Sequence, residues 1–243
     1  MLLIGLIAAA SLPGFVQIPG GEHRPFYPPS PEQVLLPVQA FGMDITPVTN
    51  QEFLDFLQRE PSWQDPPIIL AEGRYLQSWA SPTDLGALDP GAPVTDVSWH
   101  AARAYCQDRG GDLPTVTQWE FAADATQTQA TGARQDPATL SLILDWYALQ
   151  GSPGPVRQRS PNLHGLYDMH GLIWEWTLDF NSQLISSDAR EAGDQDRVRF
   201  CGAGALDASD PEDYASFMRF AYRSSLTANA TTSNLGFRCA YSR

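Results

Sequence analysis

The stretch from Gly165 to Phe180, GLYDMHGLIWEWTLDF, constrains the fold more than any other part of the chain. It sets a single acid, Glu175, between two tryptophans, Trp174 and Trp176, behind a glycine at Gly171. Ile173, Glu175 and Thr177 alternate with Trp174, Trp176 and Leu178, the period of two that lets a strand present opposite faces. Large aromatics on one face anchor a core. Glu175 then needs water, an arginine or a metal ion opposite it, because a buried carboxylate without a partner is costly. The pattern predicts a central strand. Its acid is ordinarily solvated or salt-bridged.

The chain around this stretch is long enough, at 243 residues and 43% hydrophobic, for one sizeable core. No repeat or linker divides it, so a single domain over residues 13–243 is expected. Charged residues are 18% against 19 glycines and 20 prolines, which suits an irregular, loop-rich globule better than a helical bundle. Fifteen basic against 28 acidic residues give a net charge of −13 and exclude a nucleic-acid binder, which needs a basic footprint. Residues 1–12, MLLIGLIAAASL, are apolar but too short for a stable membrane span. They fit a secretory signal segment lacking its usual basic start, or a buried first strand. The expected location is periplasmic or secreted.

Local signals place several elements. Phe15–Gly21 reads as a strand ending in a Pro-Gly-Gly turn, and Val34–Phe41 as a second strand. Arg24–Pro31 is a proline-rich loop. Thr49, with Glu52 three residues on, has capping-box spacing before a helix whose Phe53, Phe56 and Leu57 share one face. Trp63 and Trp79 sit in a long loop, where they either pack it down, the favoured reading, or line a cleft. Ser98 caps a second helix with Ala101, Ala102 and Tyr105 on its inner face. Leu113-Pro114-Thr115 precedes a third helix through Trp119, Glu120 and Phe121. Leu140–Tyr147 is an apolar patch, and Asp188–Arg199 is a charged excursion that reads as a solvated loop. Cys106, Cys201 and Cys239 allow three pairings, each leaving one thiol over.

Four words in the chain occur in a fixed order: DITPVTNQEFLDF from Asp44, PVTDVSWHAARAYCQDRGGDLPTVTQWEFAA from Pro93, GLYDMHGLIWEW from Gly165, and NLGFRCA from Asn234. Together they resemble the formylglycine-generating enzyme, or sulfatase-modifying factor, family across most of residues 16–241. The resemblance implies an α+β fold: an irregular single domain, a variant of the C-type-lectin type, with small twisted antiparallel sheets and a few helices. It implies a Cys106–Cys239 disulfide, worth about 4–5 kcal/mol for so long a loop in the chain-entropy model. It also makes Trp174, Trp176, Arg219 and Arg223 parts of the structural motif.

The active members of that family oxidise a client cysteine with oxygen and Cu(I) held by two thiolates, ligands that soft copper selects. The corresponding stretch here, Phe200–Arg223, keeps Arg219 and Arg223 but has no cysteine at either thiolate position. Formylglycine generation is therefore not expected. Leu172 stands where the family word has an asparagine that contributes to a calcium site, and leucine offers no oxygen ligand. The remaining candidates for a metal, copper or iron, are Cys201, His164, His170 and Glu175, the last three as a two-histidine, one-carboxylate set. Cys201 with Met218 and a histidine is a further soft arrangement, and Cys201 is a candidate catalytic residue, although a free cysteine is commonly a small buried apolar group. Asp207, Asp210, Glu212 and Asp213 read as a solvated acidic loop or an oxygen-ligand site for a divalent ion, and Tyr214, Phe217 and Phe220 as a recognition surface beside it.

Three functions follow. The chain could be an exported accessory protein assisting maturation or assembly of a metal-containing client enzyme. It could be a copper or nonheme-iron oxidoreductase working through Cys201 or the histidines. It could also be a lectin-like binding module without chemistry.

Overall fold

The computed structural model describes residues 14–26, 32, 34–148, 151–181 and 211–242, with backbone alone for 147–148 and 211–215. Residues 1–12, most of Arg24–Pro31, the Asp188–Arg199 excursion, Cys201, Asp207 and Asp210 lie outside the described residues, as do the side chains of Glu212, Asp213 and Tyr214.

Four short strands come first, a run of helices follows, and the last three short strands flank one further helix. Strands β1 (Phe15–Ile18), β4 (Phe41–Asp44) and β7 (Ala240–Tyr241) form an antiparallel sheet in the order β1-β4-β7. Strands β2 (Gly21–His23) and β3 (Leu36–Val38) form an antiparallel pair. The apolar run Val34–Phe41 is thus two strands rather than one. Its break at Gln39-Ala40 faces Gly20, where a Cβ would lie 2.6 Å from the Val38 carbonyl oxygen, so only glycine lets the two turns meet.

Helix α1 (Asn50–Arg59) begins at a complete capping box: Thr49 accepts from the Glu52 amide, and the Glu52 carboxylate accepts from the Thr49 amide at 2.8 Å. Ser98 caps α2 (Trp99–Asp108) through the Ala101 amide. Thr115 and Gln118 form a second box at α3 (Val116–Ala123). The apolar patch is helix α4 (Pro137–Ala148), and α5 (Pro211–Ser224) follows the central stretch.

Two hydrophobic clusters result. One gathers Phe53, Phe56 and Leu57 of α1 with Ala101, Ala102 and Tyr105 of α2, Trp176 and Phe237. Trp79 joins it and Trp63 packs against it, so these loop tryptophans are packing anchors. The second gathers Ile18, Phe41 and Met43 with Trp119, Phe121, Leu166 and Met169. Each fully buried side chain of this size contributes about 1.5–3 kcal/mol. The Cys106–Cys239 disulfide, with its Cα atoms 5.4 Å apart, ties α2 to the chain entering β7.

The central stretch departs from a regular strand. Only β5, Trp174–Glu175, pairs, and it runs parallel to β6, Leu235–Gly236. Beyond it the Leu178 amide bonds the Pro114 carbonyl, so the backbone changes partners rather than extending one ladder. The alternation does not divide inside from outside either: Ile173, Glu175, Trp176 and Thr177 are all buried. In the two-residue strand Glu175 is buried, while Trp174 is half-buried and packs against the first cluster.

Candidate functional site

The site is built where the two clusters meet. Trp176 belongs to the first cluster and Trp119 to the second, and Glu175 joins them. The Glu175 carboxylate is held bidentately by Arg238, Nε to Oε2 and Nη2 to Oε1, both at 2.8 Å. Its Oε2 also accepts the Trp119 indole N–H at 2.8 Å. Arg238 has no exposed surface and spends its remaining donors on the carbonyls of Asp44, Ile45 and Tyr167. A buried pair satisfied this fully repays its desolvation with the paired geometry and extra hydrogen bonds.

A second ionic cluster lies beside it. Helix α5 turns Ser216, Arg219 and Arg223 toward α3, at the three- and four-residue spacing of one helix face. Arg219 grips Glu120 bidentately, with Nη2 to Oε2 at 2.8 Å, while Arg223 adds Nη1 to Oε1 at 2.6 Å. Both guanidiniums lie over the Trp119 ring, at 5.7 and 4.9 Å from its centroid. Burial alone would raise the Glu120 carboxyl, but the two arginines outweigh it and hold it well below the usual carboxylate range.

Over these groups opens a small, partly open cleft. Ile143 and Trp146, three residues apart on α4, form one wall, and Trp174 and Tyr222 form another. Trp174 stacks on Tyr222 with centroids 4.4 Å apart and meets Trp146 at 5.0 Å. Gly171 closes the turn beneath them at φ +82°, a conformation that suits glycine. The Arg159 guanidinium donates to the Gly171 carbonyl at 3.0 Å.

The histidines and Glu175 sit as follows. His170 places Nε2 3.0 Å from the Ala123 carbonyl oxygen, an acceptor, so Nε2 carries the proton. Burial first, and then Arg219, push this imidazole down to about 4, leaving it neutral at pH 7. His164 instead lies along the Phe121 ring, 6.4 Å away, and burial lowers its pKa. Its Nε2 is buried with no hydrogen-bond partner among the described residues. Both Glu175 oxygens are committed to Arg238 and Trp119. Among the described residues, no three His, Cys, Asp or Glu side chains are grouped so as to hold a metal ion.

The cysteines decide the fit of a two-thiolate copper site. The chain has three, two of which are bonded to each other, so one thiol remains, at Cys201. Two thiolates on one copper do not fit this chain.

Arg238 carries the site and escaped the sequence reading. Glu175 announced its need for a partner, but the arginine lies 63 residues away. The available signal was its position in NLGFRCA, next to the cysteine that closes the fold. Phe217 and Phe220 meet Phe26, each at 6.4 Å.

A small α+β domain whose buried acid–arginine pairs underlie an aromatic cleft, lacking a thiolate pair, defines the class. Residues 6–243 match the sulfatase-modifying factor enzyme 1-like domain, and the chain belongs to that family. It is 32% identical to the inactive C-alpha-formylglycine-generating enzyme 2 of Bos taurus, over 84% of this chain and 77% of that one. It is 33% identical to the formylglycine-generating enzyme of Streptomyces coelicolor, over 62% of this chain and 53% of that one. PvdO from Pseudomonas aeruginosa shares the fold, with a TM-score of 0.51 at 16% identity and 93% of each chain covered. The paired active-site cysteines typical of the active enzymes are absent here. Among the described residues no helix is long and apolar enough to cross a membrane.

Proposed function

We propose that this chain is an exported accessory protein of its family, one that binds a client enzyme during maturation or assembly and does not generate formylglycine. The observation that carries the reading is the cysteine inventory: a disulfide takes two of three thiols, while the cleft and its buried ion pairs are intact. A stable fold with a lined cleft and no thiolate pair suits binding better than oxidation. The disulfide suits an oxidising compartment. That two relatives matched over most of their length are named inactive is in keeping with the same reading.

The test is purification from the native compartment under anaerobic conditions, with metal analysis and a photocrosslinker at Trp146. The expected result is a stoichiometric crosslink to one enzyme whose activity falls when this chain is deleted. About one copper or iron per chain, lost in Cys201→Ser, would replace the accessory reading with a metal-dependent oxidoreductase.

A further inference from the structure

The charges around the cleft are unevenly matched. Glu175 is matched one-to-one by Arg238, whereas the single carboxylate of Glu120 serves two arginines. Arg219 takes both of its oxygens, and Arg223 reaches one of them through Nη1 alone. Among the described residues Arg223 has no other carboxylate partner, and its Nε and Nη2 are not enclosed as buried orphans. Arg223 is itself 5% exposed and lines the cleft, so those donors are left for whatever occupies it. In a chain of net charge −13, this is a cationic point set in an apolar wall.

We propose that the cleft binds an oxyanion carried on an apolar body, a carboxylate beside an aromatic or aliphatic group, with Arg223 as its charge partner. Ile143, Trp146 and Trp174 take the apolar body. A guanidinium with free forked donors is the group best shaped for a carboxylate. A cationic ligand is disfavoured, although the walls are aromatic: the Trp119 face already carries two guanidiniums, and both nearby carboxylates are spent. The carboxylate can belong to a free small acid or to a peptide chain. The inference rests on the reading of this cleft as a binding site and names what it recognises.

Binding is measured on the intact protein by titration calorimetry and tryptophan fluorescence. Phenylacetate is compared with phenylacetamide, and a short peptide ending in phenylalanine with its C-terminal amide. Expected is a preference of at least about tenfold for the charged form in one pair, the size of a charge-assisted hydrogen bond. Preference in the first pair assigns a small acid, and preference in the second alone assigns a peptide terminus. Arg223→Gln removes the preference while Arg219 still holds Glu120. If that variant fails to fold, the comparison on the unaltered protein still decides. Charged and neutral forms binding within about twofold of each other, or neither binding at millimolar concentration, overturns the proposal. Either result is read without any client, so it leaves the accessory role to its own crosslinking test.

Discussion

At the scale of single residues, the Glu175–Arg238 pair decides whether the centre of the molecule holds together. Arg238→Met leaves a carboxylate buried and unmatched, and a loss of about 3–5 kcal/mol in urea unfolding is expected. Glu175→Gln combined with Arg238→Met should recover much of that loss; a single variant as stable as the parent would contradict the account. Two other buried groups act on pH dependence with opposite sign. His170 is held down to about 4 from 6.5, so between those values the unfolded chain binds a proton that the folded chain does not. Acidification through that window therefore destabilises. Asp44 is raised by burial from 3.8 to about 6, against Arg109 and the Cys239 amide. The folded chain takes up its proton first, so acidification through that window stabilises. His170→Gln should flatten the acid side of the stability profile, and Asp44→Asn should steepen it. Unaltered slopes in both variants would refute these assignments.

At the scale of elements, much of the framework was readable because its signals are local. Thr49 with Glu52, and Ser98 before Trp99, mark helix starts through bonds spanning three residues, and the structure places both. Thr49→Ala should cost about 1 kcal/mol, measured by thermal unfolding; no change would mean the cap is redundant with packing. The central stretch was legible as an anchor but not as a conformation. Its alternation imitates a strand, yet Trp176 is buried along with Ile173, Glu175 and Thr177 while Trp174 and Leu178 are only half-buried, and the pairing is two positions long. The Arg219–Glu120–Arg223 cluster was equally hidden. Each arginine was visible in its own word, but the shared carboxylate lies 99 and 103 residues away on another helix. Contacts that distant leave no mark on local periodicity.

At the scale of the whole molecule, one covalent link closes the fold over 133 residues. Replacing Cys106 and Cys239 together by alanine should remove about 4–5 kcal/mol in the chain-entropy model, seen as a lower denaturation midpoint. A variant unchanged in stability would contradict that role. The same bond leaves the chain one thiol where a copper site of this family's kind takes two. The most direct test of this claim supplies a client sulfatase peptide with oxygen and Cu(I), and follows its cysteine by mass spectrometry. An active formylglycine-generating enzyme runs alongside. The account predicts aldehyde in the parallel reaction and an unaltered cysteine with this protein. Aldehyde formed at a comparable rate by this chain would contradict it.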